Sequence, residues 1–181
     1  MIYVALLRGV NVGGKSIVPM AELRQLFERL GFRDVKSYIN SGNIIFRTNK
    51  PCADLKVLIE KAIEHTFRAP IAVMLRDEIE MKKLVSALPD DWQNNDATKC
   101  DILFLDESID RPGTMKLLPV NSDIEQVRYF PGAIGWLIDR KLVTKSRMFR
   151  LVGTPLYKQM TARNPNTVRK LNLLMQQLNQ S

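Results

Sequence analysis

The sequence predicts an α+β fold: two tandem α/β repeats with antiparallel sheets, followed by a C-terminal helix. Three observations predict it. The patterned segments of the first half run strand, helix, strand, strand, helix, strand. The second half passes through a related order. The chain then finishes on an amphipathic stretch that opens at a proline. A length of 181 residues suits one compact domain or two small ones, and such a chain buries a sizeable core without staples.

Each element has its own reason. Residues 2–7, IYVALL, are apolar on both faces and read as a central strand. A Gly-rich loop follows. Pro19 opens a helix, because proline is at home in the first turn. Met20, Leu23, Phe27 and Leu30 recur at helical spacing and Gly31 ends the run. Residues 35–39 and 44–46 form a hairpin around the turn Asn40-Ser41-Gly42-Asn43. Residues 53–67 form a second helix with the stripe Leu55, Leu58, Ile59, Ala62 and Ile63, and residues 71–75 a fourth strand. The order β-α-β-β-α-β is the split βαβ, or ferredoxin-like, arrangement. It assigns residues 1–76 to one ferredoxin-like repeat with both helices on one face of the sheet.

Residues 77–181 are assigned to a second, related α/β repeat with a basic helical C-terminal segment. A helix over 77–88 bridges the halves, and a polar loop covers 89–98. Residues 101–105 form a strand, a short helical turn lies near Met115, and 125–130 pairs with 133–138 around Pro131-Gly132. A helical stretch is expected over 146–158, interrupted by Gly153 and Pro155. The last helix covers 165–179, with Asn164 as N-cap, Pro165 as first residue and Val168, Leu171, Leu174, Met175 and Leu178 as its stripe. The duplication is one of element order; no repeat is visible in the letters.

The net charge of +8 is concentrated at the end of the chain. From Arg140 onward there are nine Lys or Arg and no acid, so the rest of the chain is nearly neutral. That asymmetry predicts an anionic partner, nucleic acid or a phosphate-bearing molecule, met by the C-terminal segment. The two cysteines, Cys52 and Cys100, lack paired spacing and fit buried apolar roles in a reducing compartment. The apolar start carries no basic leader and stops at Arg8, and no run approaches the ~18 residues of a membrane helix. A cytoplasmic protein with no membrane association is expected. One histidine and two distant cysteines make a metal site unexpected; no cofactor is indicated.

Gly9 to Ser16, GVNVGGKS, matches the letters of a phosphate loop. In such a loop the helix starts at the Gly-Lys-Ser itself, so that its N–H groups cradle the phosphates. Here Pro19 forces the preceding residue out of the helical region and moves the helix start past Lys15. A phosphate loop also sits in a parallel sheet of alternating strands and helices, whereas this chain places a hairpin after its first helix. ILFLDE at residues 102–107, which imitates a magnesium-holding strand, lies in the other half. A Mg-nucleotide hydrolase is not the reading these residues favour.

Three motifs carry a resemblance: Arg8-Gly9-x-Asn11-Val12-Gly13-Gly14-Lys15, then Ser41-Gly42-Asn43, then Thr161-x-Arg163-Asn164-x-x-Thr167. In that order, and across nearly the whole chain, they resemble the bacterial DUF1697 family, a domain of unknown function. The resemblance implies two related α/β repeats with ferredoxin-like order. It also implies that the position of Ser16 is not held to Ser or Thr, unlike a magnesium-binding phosphate loop. It implies no activity, substrate or cofactor.

The candidate ligand-binding residues are Arg8, Asn11, Gly13, Gly14, Lys15, Ser41, Asn43, Arg163, Asn164 and Thr167. All fall on loops or at element ends, where function concentrates. Glycines in the first loop let backbone N–H groups face an anion. Arg8, Lys15 and Arg163 are expected to converge on a phosphate or carboxylate. Tyr129, Trp136, Phe149 and Tyr157 lie in or beside the basic quarter, where base stacking could accompany phosphate contacts. Two functions follow. One is a non-catalytic binder of an anionic ligand, either nucleic acid or a phosphorylated small molecule. The other is an enzyme acting on a phosphorylated small molecule, with Lys15 and Arg163 as electrostatic clamps. No catalytic residue is identified.

Overall fold

The computed structural model describes residues 1–11 and 17–180, with residues 52 and 53 described by backbone alone. It is a mixed α+β structure with two four-stranded antiparallel sheets and a C-terminal helix. The chain divides into two compact units: Met1–Ile79 together with the residues from Leu171 onward, and Glu80–Lys170.

The first unit contains β1 (Ile2–Leu7), α1 (Met20–Arg29), β2 (Arg33–Ser37), β3 (Asn43–Arg47), α2 (Cys52–Phe67) and β4 (Val73–Asp77). Its strand order is β2-β3-β1-β4, with every neighbouring pair antiparallel. The apolar run of β1 is buried on both faces. Tyr3, Ala5 and Leu7 join Ile44, Phe46 and Val73 and the helix residues Leu23, Phe27, Leu55 and Ile59 in one core. Ile2, Val4 and Leu6, facing the other way, are equally inaccessible. Each full burial of such a side chain contributes about 1.5–3 kcal/mol, so this strand anchors everything attached to its ends. Pro19 is the N-cap rather than the first helical residue: its extended backbone (ψ 122°) delays α1 to Met20. β2 ends at Ser37 rather than 39, since Ile39 adopts a positive φ of 50° that breaks the strand.

The chain continues through α3 (Glu78–Ala87), β5 (Thr98–Leu105), β6 (Glu125–Phe130), β7 (Ala133–Asp139), β8 (Met160–Arg163) and α4 (Pro165–Asn179). The second sheet is ordered β6-β7-β5-β8, again antiparallel throughout. Leu103, Leu105, Ile134, Trp136, Ile138 and Met160 form its core with Met148 and Leu151. Two sequence expectations fail here. The helix over 146–158 does not form; short 3-10 turns cover 140–145, 148–151 and 157–159 instead. Gly153 at φ 87° and Pro155 break any longer helix. And β8, which the sequence left unassigned, is a strand of only four residues, MTAR, too short to show a period.

The two sheets have several backbone contacts in common. Leu7 N–H donates to Gly42 O, as Leu105 N–H does to Gly132 O. Arg8 N–H donates to Ala72 O, as Asp106 N–H does to Gln159 O. Val4 pairs with Arg76, and Ile102 with Arg163. These contacts set Arg76-Asp77-x-x-x-Met81-Lys82-Lys83-Leu84 at places equivalent to Arg163-Asn164-x-x-x-Val168-Arg169-Lys170-Leu171. In both, the Arg lies at the end of a strand or one residue before it, the Asx side chain accepts from the N–H two residues on (Ile79 and Asn166, each 2.8 Å), and a helix begins. The apolar positions of both stretches are buried.

Candidate functional site

β1 delivers Arg8 to the sheet end, where the backbone turns sharply. Gly9 takes a φ of 66° and Asn11 one of 56°. Asn tolerates this left-handed region because its short side chain finds local partners. The Asn11 side chain does so three times. Its Nδ2 donates to Val18 O (3.0 Å) and to Asn40 O (2.7 Å), and its Oδ1 accepts from Val18 N–H (2.8 Å). One amide therefore closes the loop at its far end and ties it to the first hairpin.

The hairpin turn is fitted to the same place. Gly42 takes a φ of 72°, and a Cβ there would lie 2.4 Å from Val10 Cγ2 and 2.8 Å from Leu7 Cβ. Asn43 is fully buried, and its Nδ2 donates to Tyr38 O and Ser41 Oγ, both at 3.0 Å. Thus Arg8, Asn11, Ser41 and Asn43 come together at one end of the first sheet, with Arg8 and Ser41 half-buried. Gly13, Gly14 and Lys15 lie outside the described residues.

The third motif belongs to the second unit. Arg163 is 7% exposed, and its Nη1 donates to Thr161 Oγ1 and Ala162 O, both at 2.8 Å. Burial pushes its guanidinium down to about 10, with Tyr157 pulling the other way. Asn164 caps α4, and Thr167 is half-buried on its first turn. Arg163 and Asn164 therefore hold a strand-to-helix junction, the same junction that Arg76 and Asp77 hold in the first unit. Arg8 and Arg163 lie in different units.

The basic quarter sorts into two groups. Arg169 donates to Trp92 O (3.1 Å) and Pro89 O (2.9 Å), and Arg140 to Asn95 O (2.8 Å), so both fasten the loop before β5. Lys141, Lys145, Arg147, Arg150 and Lys158 stand exposed on the segment between β7 and β8, with Phe149 exposed among them. Trp136 is core, and Tyr129 and Tyr157 are partly buried. His65 is exposed on α2. Among the described residues no group of three or more His, Cys, Asp or Glu is placed to hold a metal.

Residues 1–134 match the family model for a protein of unknown function, DUF1697. The chain belongs to the DUF1697 family. Over 96% of this DUF1697 chain and 98% of the other, its fold is also similar to a solved structure, the conserved bacterial protein SP0830 from Streptococcus pneumoniae, at 31% identity and a TM-score of 0.83. No curated protein matches the sequence. No helix among the described residues is long and apolar enough to cross a membrane.

Sequence reasoning missed Lys99 and Asp101. The strand was expected to start at 101; it starts at Thr98, and its two-residue period then puts Lys99 and Asp101 on the face of Leu103 and Leu105. Charges in phase with a core face were the available signal.

Proposed function

We propose that the protein binds an anionic ligand, a nucleic acid or a phosphorylated small molecule, without transforming it. The observation that carries this reading is the segment between β7 and β8, with five exposed bases besides the loop-fastening Arg140, and no acid. Such a surface attracts phosphates by summed potential rather than by one fixed contact. The first-unit loop is the second element of the reading. Arg8, Asn11, Ser41 and Asn43 gather at one end of the first sheet, and we propose them as ligand residues together with Gly13, Gly14 and Lys15, which lie outside the described residues. In the second unit, Arg163 and Asn164 hold the strand-to-helix junction that presents Thr167.

We also read residues 1–76 and 77–181 as two ferredoxin-like repeats. The shared strand order, the matched hydrogen bonds at Gly42 and Gly132, and the equivalent Arg-Asx junctions support that reading. A cytoplasmic location goes with it.

The test is thermal unfolding against a panel: nucleotides with and without Mg²⁺, sugar phosphates, and RNA and DNA oligomers. A ligand at about 100 times its dissociation constant stabilises by about 2.7 kcal/mol. Stabilisation by at least one phosphate-bearing class, independent of Mg²⁺, is expected. A flat response across the panel contradicts the proposal.

A further inference from the structure

A pocket of about 140 Å³ opens on the core face of the second sheet, lined by Lys99, Asp101, Trp136, Phe149, Val152 and Tyr157 among others. Its walls are mainly apolar, yet two charged groups converge inside it. Lys99 Nζ lies 5.6 Å from the Trp136 ring centroid and 5.5 Å from that of Phe149, between two aromatic faces. The Asp101 carboxylate faces Lys99 at 4.0 Å. Its charge is opposed by burial, which raises its proton affinity, with Lys99 and Arg140 opposing that rise. A carboxylate with its side chain only 28% exposed loses hydration that a 4.0 Å ion pair offsets in part. Phe149 (53% exposed) and Val152 (63%) form a bare apolar rim, flanked by the exposed Arg147 and Arg150.

We propose that this pocket takes the base of a nucleotide, with Arg147 and Arg150 meeting its phosphate. The size selects one ring system: a cavity of about 150 Å³ takes a single benzene ring, and whole cofactors need about 300 Å³ or more. A nucleobase is flat enough for Phe149 to stack on and carries an N–H donor beside an acceptor. Asp101 accepts from the donor, and Lys99 donates to the acceptor. The phosphate contact rests on the anion-binding reading above; the base contact does not. A free nucleotide and an unpaired base in a single strand share this chemistry.

The test uses the fluorescence of Trp136, with Trp92→Phe removing the other tryptophan. Titrants are the four nucleosides, their monophosphates, a single-stranded RNA oligomer, and inorganic polyphosphate. Saturable quenching by at least one nucleoside or monophosphate is expected, and Phe149→Ala and Lys99→Met should each weaken it roughly tenfold or more. His65→Ala, on the exposed face of α2, should leave it unchanged. Tighter binding by the RNA oligomer than by any monophosphate assigns the strand as the source, and the reverse assigns the free nucleotide. Polyphosphate binding without a response to any base-bearing titrant overturns the pocket while leaving the anion-binding reading intact. Base binding that survives both Phe149→Ala and Lys99→Met also overturns it.

Discussion

Replacing Asn11 by Ala removes three hydrogen bonds at once and leaves a residue with a Cβ at φ 56°. The magnitude can be worked term by term. Two of the three bonds are partly buried and involve Val18, itself 1% exposed. Each contributes about 1 kcal/mol net, and the Val18 N–H left without its acceptor sets the upper end. The third bond, to Asn40, is exposed and contributes less. Alanine in the left-handed region adds about 1 kcal/mol. The total is about 3 kcal/mol. Asn11→Gly loses the same bonds without the backbone strain and should cost roughly 2 kcal/mol. Thermal unfolding by circular dichroism measures both. For a chain of this size each kcal/mol lowers Tm by about 2–4 °C, so a drop of about 6–12 °C is expected for Ala and a smaller one for Gly. A drop of less than about 1 °C for Asn11→Ala refutes the argument that this amide holds the loop.

Three further outcomes follow from the same structure. Gly42→Ala forces a Cβ against Leu7 and Val10 at a positive φ, and overpacking with backbone strain should cost about 2–4 kcal/mol in denaturant unfolding. Asp101→Asn removes a carboxyl whose proton affinity burial has raised. That stabilising contribution is full below the ordinary carboxylate pKa and lost as pH rises through the raised one, so the variant should melt higher than wild type at pH 7 and depend less on acidic pH, while binding the proposed base less well. Burial pushes the Cys100 thiol from about 9.0 to about 12. In a Cys52→Ser variant the native protein should therefore react with a thiol reagent at pH 8 only at the rate of unfolding, and stability should fall by about 1.4 kcal/mol per pH unit between those two values.

The sequence reveals most of the fold because its strongest signals are local and long. β1 is an unbroken apolar run, and α4 shows its full stripe between a capping Asn and the chain end. β8 stays hidden because four residues carry no period, and only its pairing with β5 makes it a strand. The stretch after β7 reads as helix by composition, yet positive φ at Gly153 and the ring of Pro155 leave only 3-10 turns. The candidate site is legible in part. The polarity of Asn11 and Asn43 marks them out, but only three dimensions show that their amides are engaged by backbone. Arg163 reads as a ligand clamp in the sequence; its burial and its match to Arg76 explain it as a junction residue as well. Lys99 was invisible because the strand holding it begins three residues before the expected one, which left Asp101 as a single charge at the expected strand's first position.

The most direct test of the anion-binding account is the salt dependence of single-stranded RNA binding, followed by fluorescence anisotropy. Each neutralised phosphate on a single strand contributes about −0.7 to the slope of log affinity against log salt. The five exposed bases between β7 and β8 other than Arg140, which is held by the Asn95 carbonyl, set a limit of about −3.5. The account predicts a linear loss of affinity with a slope between about −1.5 and −3.5, which becomes shallower when Arg147 and Arg150 are both replaced by Gln. Absence of binding at low salt, or a slope indistinguishable from zero, would contradict the reading that the exposed bases between β7 and β8 meet a nucleic acid.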